Sequence, residues 1–474
     1  MKNNMRICLI LEGCYPYVFG GVATWVNQYI LSKPEHEFVI FTIGAEKKKR
    51  GKFVYEIPKN VVEIKEVFLD EIVQDKKVKT KRKYKQDFLD EIKNLILGRK
   101  MNWDIIFNEA SNPNWNTEQF FKSEEYLSII KEIAKNELKK NGLVEIFYGM
   151  KSMLLTLLQL LSSQIPNADI YHSASTGYAG IIGAIASFKT KKPFILTEHG
   201  IYPREREEEL LACTWIEENL KKTWINFFYH ISEVAYEKAT AVTSLFENAR
   251  RTQIMIGCSQ SKCVVIPNGI DLEKYVSMPD KQNNGYIDIG AFIRFSSIKD
   301  VKTLLYSFYE TFSECKQARL HIFGATNDKE YERQCLEIIE TLELKESIFI
   351  YGQINPIEYM PKMDFTVLTS ISEGQPLTVL ESFAARRPVV CTNVGCCKEL
   401  INGNNDGFGK AGICCTPMDV FSIAKAMKVL CNDEELRKQY GINGMNRVKN
   451  EYTFEKMIKA YFDLYEKELK NWQV

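Results

Sequence analysis

Short apolar runs typical of β-strands alternate with longer helix-like segments along almost the whole chain. Such alternation predicts parallel sheets built from strand–helix–strand units, with helices on both faces. The runs form two series separated by residues 279–285, whose Pro, Asn and Gly content is typical of a linker. A chain of 474 residues also exceeds what one hydrophobic core usually supports. The sequence therefore predicts two doubly wound α/β domains, whose facing sheets would share a cleft.

The first series of predicted strands comprises Arg6–Glu12, Glu37–Ile43, Asp104–Asn108, Asp169–His172, Pro193–Glu198, Ala239–Thr243 and Cys263–Pro267. The second comprises Tyr286–Ile293, Ala318–Phe323, Ser347–Tyr351, Phe365–Leu368, Pro388–Thr392 and Gly412–Cys415. Residues 113–162 look helical and are expected to form an insertion in the first domain. The closing segment carries its apolar residues on one stripe and predicts an amphipathic helix. We expect the two domains at 1–278 and 286–453, followed by a helix at 454–474.

Composition narrows the function classes. A formal net charge of +1 argues against a general nucleic-acid binder. The charge is uneven, since seven of the ten residues from Lys76 to Lys85 are Lys or Arg. This basic stretch is either a solvated segment or a docking patch for anionic lipid or an acidic partner.

Cysteine usage and hydropathy bear on the compartment. The thirteen Cys lack the C-x₂-C spacing of a zinc site, so we interpret them as reduced, mostly buried thiols of a cytoplasmic protein. The apolar run Ile7–Leu11 stops at Glu12 without a cleavage signal, which indicates a first strand rather than a signal peptide. Met153–Leu161 is interrupted by polar residues and is too short to span a bilayer. We expect a soluble protein.

The segment Ser372–Glu381 places two carboxylates across a loop-to-helix junction. Pro376 suits the first turn of a helix, because its missing N–H costs nothing there. Glu373 would then lie on the loop and Glu381 on the second turn, on the order of 12 Å apart if the spacing were helical throughout. A retaining glycosidase pair needs only about 5–5.5 Å. These acids are better placed to grip the two ends of an elongated ligand, such as a nucleotide-sugar, whose anionic middle rests on the helix N-terminus. The alternative is a surface loop before an ordinary amphipathic helix.

Two strand ends of the first domain also carry candidate residues. Gly20 and Gly21 follow the first strand, and paired glycines let the backbone approach a ligand closely, although such turns are common. No G-x-G-x-x-G follows that strand, so a dinucleotide cofactor is not favoured. His199 ends another strand and is suited to donate to a sugar hydroxyl or to charge developing at a reacting centre. His172, at the preceding strand end, is a weaker candidate, and for both a structural role is the alternative.

Arg294 and Lys299 follow the first strand of the second domain, on opposite sides of a turn that starts a helix. Two cations there suit a diphosphate leaving group, with Arg binding as a fork and Lys as a point charge. Ordinary surface basic residues are the alternative.

Together these stretches resemble family 4 retaining glycosyltransferases of the GT-B fold, over nearly the whole chain. Val265–Asp271 resembles the inter-domain signature of that family, Glu373 and Glu381 its paired glutamates, and Arg294 with Lys299 its phosphate-binding pair. A closer resemblance is to its PelF-like subgroup, cytosolic glycosyltransferases of Pel-type exopolysaccharide synthesis. The segments that carry it are Leu11–Tyr17, Glu198–Arg206 and Ser296–Thr303.

The resemblance implies a role for each site residue. Glu373 would bind hydroxyls of the donor sugar and Glu381 the ribose, while Arg294 and Lys299 would neutralise the phosphates of the departing UDP. His199 would contact the transferring sugar. The remaining implied binding positions are Gly20, Gly21, Gly352, Gly374, Gln375, Pro376 and Leu377. The terminal helix would cross back to the first domain.

Two positions depart from the family pattern. Many relatives have Gly directly before the matched Arg, where this chain has Ile293. Many also have Gly in the loop before the Pro-Val-Val strand, where this chain has Arg386. Arg386 would be strained if that position must be left-handed.

We therefore expect an enzyme that transfers a hexose from a UDP-sugar to a growing polysaccharide and keeps the anomeric configuration. No metal or other cofactor is expected, because Arg294 and Lys299 would supply the positive charge. The expected partners are the UDP-sugar, the polysaccharide acceptor and a membrane-embedded exopolysaccharide synthase and export complex, at the inner face of the membrane. The alternatives are a family 4 transferase with another acceptor, a UDP-sugar epimerase, and a non-enzymatic UDP-sugar-binding scaffold.

Overall fold

The structure is a computed structural model that describes residues 4–73, 82–326 and 328–472. The chain divides into two compact units: unit 1 is Met1–Val265 with Phe462–Val474, and unit 2 is Ile266–Tyr461. Each unit contains one sheet whose strand pairs are all parallel, with helices between the strands. The predicted doubly wound architecture is confirmed.

Unit 1 is built on a seven-stranded sheet with the order β3-β2-β1-β4-β5-β6-β7. Its strands are β1 Arg6–Glu12, β2 Glu37–Gly44, β3 Val61–Phe68, β4 Ile170–Ser173, β5 Phe194–Glu198, β6 Ala241–Ser244 and β7 Cys263–Val265. Its helices are α1 Gly21–Leu31, α2 Gln86–Ile96, α3 Trp103–Ala110, α4 Thr117–Phe121, α5 Glu124–Asn136, α6 Leu143–Leu161, α7 Gly177–Thr190, α8 Tyr202–Ala212, α9 Glu218–Lys238 and α10 Glu247–Met255. Most of the predicted strands are present within one or two residues.

The strand predicted at Asp104–Asn108 is wrong, because these residues belong to helix α3. The buried residues Trp103, Ile106, Phe107 and Ala110 follow the spacing of one helix face, which a run of three apolar residues conceals. The side chain of the preceding Asn102 accepts a hydrogen bond from the helix N-terminus and caps it.

Strand β3 was not predicted. It lies at the edge of the sheet and pairs only with β2. Its sequence VVEIKEVF mixes charged and apolar residues, and most of these residues are partly exposed. An edge strand needs little apolar surface, so it lacks the continuous apolar run that marks a buried parallel strand.

The insertion predicted at 113–162 is helical and forms α4, α5 and α6. Among the described residues, α6 is the one helix long and apolar enough, by length and composition, to cross a membrane. It is longer than the Met153–Leu161 run considered from sequence. Ile146, Met150 and Leu154 lie on its buried side, as in a core helix.

The basic stretch is only partly described, since residues 76–81 lie outside the described residues. Arg82 pairs with Glu109, and its guanidinium lies 5.8 Å from the ring centroid of Trp115. All thirteen Cys are free thiols, and nine of them are buried.

Unit 2 is built on a six-stranded sheet with the order β10-β9-β8-β11-β12-β13. Its strands are β8 Ile287–Phe292, β9 Ala318–Phe323, β10 Ile348–Ile350, β11 Phe365–Leu368, β12 Val389–Thr392 and β13 Gly412–Cys415. Its helices are α11 Glu273–Val276, α12 Val301–Glu314, α13 Lys329–Thr341, α14 Pro356–Tyr359, α15 Leu377–Ala384, α16 Cys397–Asn402, α17 Val420–Asn432 and α18 Glu434–Glu451. All six strands of the second predicted series are present.

The last helix, α19, spans Phe454–Trp472. The predicted apolar stripe is confirmed, since Ile458, Tyr461, Phe462 and Tyr465 are buried. The predicted linker at 279–285 lies inside unit 2.

Candidate functional site

The strand order of unit 2 identifies where a ligand would bind. Strand β8 comes first in this sheet, and β11, the fourth, lies beside it; β9 and β10 lie on one side, β12 and β13 on the other. In doubly wound sheets, ligands bind at such a switch point, outside the carboxyl ends of the strands. The loop after β8 carries Arg294 and Lys299, and the loop after β11 carries Glu373. The structure therefore brings together three residues that the sequence predicted to act together.

Lys299 and Glu373 are in direct contact. The Lys299 Nζ donates to Glu373 Oε1 at 2.5 Å, and the Ser370 hydroxyl donates to the same oxygen at 2.6 Å. The two loops are also joined by their backbones, since Ile371 N donates to Ile298 O at 2.8 Å. The Lys299 and Glu373 side chains are only 20% and 11% exposed, so an ion pair is already formed at the switch point.

Arg294, in contrast, is exposed and has no ion pair or hydrogen bond to any residue that the structure describes. Its guanidinium is free to take a bidentate anion. Lys299 would have to exchange Glu373 for the anion. That exchange would release the carboxylate to accept hydrogen bonds from a neutral, hydroxyl-rich group beside it.

The loop from Glu373 to Leu377 is held from two sides. The Gln375 side chain is buried, and its Oε1 accepts a hydrogen bond from Asn268 N at 2.7 Å. Gly374 O accepts a hydrogen bond from Cys396 N at 3.0 Å. Pro376, with a φ of −72°, lies directly before α15, which begins at Leu377. The predicted loop-to-helix junction is thus confirmed, with Pro376 one residue before the first helical turn rather than within it.

Glu381 lies on the second turn of α15, as predicted. The Tyr275 hydroxyl hydrogen-bonds its carboxylate. Burial raises the pKa of the Glu381 carboxyl, while the Tyr275 hydrogen bond and the charge of Lys274 act in the opposite direction. The side chain therefore suits a hydrogen-bonding role toward hydroxyls.

Gly352 follows β10 and has a φ of +68°, with no atom within 4 Å of a Cβ built on it. Its carbonyl accepts a hydrogen bond from Gly324 N at 2.7 Å. A Cβ on Gly324 would come within 2.0 Å of Ile293 O, so only glycine allows this approach. The loops after β8, β9 and β10 are therefore packed together, with Gly352 leaving open space.

The predicted site residues of unit 1 lie after the carboxyl ends of its strands. The switch point of this sheet lies between β1 and β4, and β5 is the next strand beyond it. Gly20 and Gly21 lie between β1 and α1, and a Cβ built on either would meet no atom within 4 Å. His199 follows β5 and lies edge-on to Trp25, with 5.1 Å between the ring centroids. Its Nε2 is buried without a hydrogen-bond partner in the described chain. Burial lowers the pKa of His199 to about 4, so the ring is neutral at physiological pH.

His172 has a structural environment. Its Nδ1 lies 2.5 Å from the Tyr465 hydroxyl and its Nε2 lies 2.8 Å from the Thr197 hydroxyl. Burial lowers its pKa to about 3. Both ring nitrogens are therefore engaged, which distinguishes His172 from His199.

Sequence reasoning missed three residues, two in unit 2 and one at a strand end of unit 1. Ser370 and Tyr275 contact the two glutamates, but only the tertiary structure shows these contacts. Glu12 ends β1 and accepts hydrogen bonds from the first amides of α7, at Tyr178 and Ala179. Burial raises the pKa of Glu12 to about 7. The available signal was its position as a charged residue at the end of an apolar strand.

The two departures from the family pattern differ in effect. Arg386 is left-handed, with a φ of 57°, as the pattern required. Its side chain donates to Met278 O at 2.9 Å and pairs with Asp280 at 3.0 Å. Ile293 is buried, and its amide donates to Phe323 O at 2.9 Å.

No three His, Cys, Asp or Glu side chains are grouped like metal ligands among the described residues. Independence from metal stays a prediction.

The comparisons with known proteins identify the class. Residues 281–472 match the family described as "Glycosyl transferases group 1". Together with the two doubly wound units, this match makes the chain a glycosyltransferase of the GT-B fold. The chain belongs to the family described as "Domain of unknown function (DUF3492)", which matches residues 5–261.

Individual relatives agree with this class. The "Capsular polysaccharide biosynthesis glycosyltransferase CapM" of Staphylococcus aureus is 24% identical over 343 residues, covering 69% of this chain and 83% of CapM. An Escherichia coli "UDP-Gal:alpha-D-GlcNAc-diphosphoundecaprenol alpha-1,3-galactosyltransferase" is 25% identical over 340 residues, covering 68% of this chain and 80% of that enzyme. The crystal structure of Anabaena HepE in complex with UDP matches with a TM-score of 0.61 and 14% identity, covering 98% of this chain and 100% of HepE. The HepE likeness confirms the predicted fold, and the two relatives agree with a glycosyltransferase.

Proposed function

We propose that the chain is a retaining hexosyltransferase that uses a UDP-sugar donor and extends an exopolysaccharide of the Pel type. The observation that carries this proposal is the contact between Lys299 and Glu373 at the switch point of unit 2, on the loop that also carries the exposed Arg294. It combines cations for a diphosphate with a carboxylate for sugar hydroxyls. The relative CapM is named for capsular polysaccharide synthesis, and the similar HepE structure was solved with UDP.

The proposed mechanism begins with donor binding. Arg294 binds the diphosphate, and Lys299 exchanges Glu373 for a phosphate oxygen. Glu373 then accepts hydrogen bonds from hydroxyls of the donor sugar, and Glu381 from the ribose. The backbone around Gly374 and Gln375 supports the same phosphates.

In the transfer step, the bond between the anomeric carbon and the UDP oxygen breaks, and UDP keeps the electron pair. Arg294 and Lys299 stabilise the charge that develops on the diphosphate. An acceptor hydroxyl attacks the same face of the sugar, and its proton passes to the leaving phosphate oxygen. The configuration is thereby retained. The contact of His199 with the transferring sugar stays a prediction.

We further propose that the enzyme acts at the inner face of the membrane together with a membrane-embedded synthase and export complex. A second candidate acceptor is a lipid-linked sugar, because the Escherichia coli relative is named for a diphosphoundecaprenol acceptor. A product attached to lipid rather than to free polysaccharide would favour this candidate. The non-enzymatic alternative, a UDP-sugar-binding scaffold, would bind UDP but would not turn over any UDP-sugar.

The test is a screen of UDP-hexoses for UDP release by the purified protein. Lys299→Ala and Glu373→Ala should each lower the rate by about 100-fold to 1000-fold, the usual cost of removing one preorganised electrostatic contact. Lys302→Ala is the matched control, because Lys302 lies on α12 with its Nζ bound to Gln334 at 2.6 Å. The proposal is wrong if the Lys299 and Glu373 variants turn over at the parental rate. Proton NMR of the product reports whether the anomeric configuration is retained.

A further inference from the structure

Unit 1 exposes an apolar surface beside Gly20 and Gly21. Phe19 is 62% exposed, Val18 is 43% exposed and Val54 is 39% exposed. Contiguous exposed apolar side chains usually mark a binding surface. Tyr55, which is half-buried, lies among them.

The aromatic rings of this surface are fixed in place. The ring centroids of Phe19 and Tyr55 are 5.0 Å apart, and Tyr15, which is buried, lies 5.1 Å from Tyr55 on the other side. The Tyr55 hydroxyl lies 3.2 Å from the Thr24 hydroxyl of α1. Val54 N donates to Pro16 O at 3.0 Å, which joins the two loops. The surface is therefore preorganised.

The aromatic surface leads along α1 into a cavity of about 630 Å³. Its polar lining is Asn27, Glu56, Lys59 and Asn60. Asn27 lies one turn beyond Thr24 on the same face of α1, and this helix rises about 15 Å from Gly21 to its end. Asn60 fixes the far wall, since its Nδ2 donates to Ile30 O at 3.0 Å. We call this surface, from Phe19 and Tyr55 to Asn60, the α1 groove.

The chemistry of the α1 groove suits a neutral glycan. Its cavity has one acid and one base in its lining, Glu56 and Lys59, and neither forms an ion pair with any described residue. Within the cavity, this balance does not favour a polyanion. The exposed basic loop Lys47–Lys52 precedes Val54, and its ion pairs with Glu46 and Glu71 offset part of its charge. Amide, carboxylate and ammonium groups match sugar hydroxyls, and exposed aromatic faces match the C–H face of a pyranose ring.

We infer that the α1 groove binds the acceptor glycan over several sugar units, with its growing end near Gly20 and Gly21. This inference rests on the proposed function, since it supplies the acceptor subsite of the same transferase. It predicts that long glycans bind more tightly than short ones, because each further unit meets more of the groove.

The test uses the full chain and three neutral probes: cellohexaose, maltohexaose and chitohexaose, each compared with its disaccharide by isothermal titration calorimetry. We expect at least one hexasaccharide to bind, and its disaccharide to bind about tenfold more weakly. The double variant Phe19→Ala, Tyr55→Ala should weaken hexasaccharide binding by about tenfold. Tyr309→Ala, which removes a 43%-exposed aromatic ring from unit 2, should change nothing.

The inference is overturned if no hexasaccharide binds, or if the double variant binds as tightly as the parent. The inference is also overturned if the double variant loses binding to phosphatidylglycerol vesicles but keeps its binding to glycans, since the groove would then be a membrane contact. UDP release without acceptor, measured on the same proteins, separates the two proposals. If UDP release persists while glycan binding fails, only the groove is wrong. If no UDP-sugar is turned over, the transferase proposal fails, and the titrations still decide about the groove.

Discussion

Gly395 is the position at which one methyl group tests how the Glu373 loop is held. It lies after β12 with a φ of +54°. A Cβ built there would lie 2.1 Å from Gly374 O and 2.3 Å from Glu373 O, and neither backbone oxygen can rotate away. We therefore expect Gly395→Ala to push the Glu373 loop out of position.

The magnitude follows from two contributions. A left-handed backbone costs a non-glycine residue about 1–2 kcal/mol. Overlap with a packed structure adds about 1–3 kcal/mol. Gly285 provides the matched control, because its φ is +78° and no atom lies within 4 Å of an added Cβ. Gly395→Ala should thus lose about 2–5 kcal/mol of unfolding free energy, and Gly285→Ala about 1–2 kcal/mol.

The effect on activity should be larger than the effect on stability suggests. A displacement of a binding group by about 1 Å can lower the rate about 100-fold, so UDP release by Gly395→Ala should fall by about that factor, while Gly285→Ala keeps the parental rate. The assay for stability is urea unfolding followed by circular dichroism, with hydrogen exchange of unit 2 peptides. Tryptophan fluorescence does not report on unit 2, because all six Trp lie in unit 1. Equal stability and equal turnover of the two variants would refute the reasoning.

Three further predictions concern single side chains. Burial lowers the folded-state pKa of His172 to about 3. As pH falls below about 6.5, the unfolded chain therefore takes up a proton at this residue that the folded chain does not. His172 by itself then lowers the unfolding free energy of unit 1 by about 1.4 kcal/mol per pH unit. His172→Gln should make tryptophan-detected unfolding less pH-dependent between pH 7.5 and 5.5, and an unchanged slope would contradict this. Tyr275→Phe removes the hydrogen bond that favours ionised Glu381, so the pKa of that carboxyl rises. UDP binding, measured by calorimetry, should therefore weaken more at pH 6 than at pH 8. Equal weakening at both pH values would argue against the ribose contact. Gln375→Ala leaves the buried Asn268 amide without its acceptor and should cost about 1–3 kcal/mol in urea unfolding, whereas Gln375→Glu keeps an acceptor and serves as its control. If Gln375→Ala is as stable as the parent, that hydrogen bond does not hold the loop.

The sequence predicted those strands and helices whose local residue pattern is typical of the element they form. Central strand β1 contains the continuous apolar run Ile7–Leu11 because it is buried on both faces, whereas β9 alternates apolar residues with Arg319 and His321; the bounds of both strands were predicted to the residue. The sequence-based predictions were wrong at edge strand β3 and at helix α3 for opposite reasons. The first needs little apolar surface, and the second has an apolar run whose helical period shows only when buried neighbours are known.

The candidate site was likewise predictable from the sequence only in part. Because parallel strands all present their carboxyl ends at one edge, the sequence could place Arg294, Lys299 and Glu373 at strand ends.

By itself, the sequence determined two doubly wound domains and the residue types at their strand ends, since both follow from short-range periodicity. The tertiary structure decided which of these residues meet. Lys299 neutralises Glu373, and both ring nitrogens of His172 are engaged, whereas Arg294 and Nε2 of His199 have no partner among the residues that the structure describes. These contacts join residues far apart in the chain. They depend on strand order and loop packing, which local propensity does not encode.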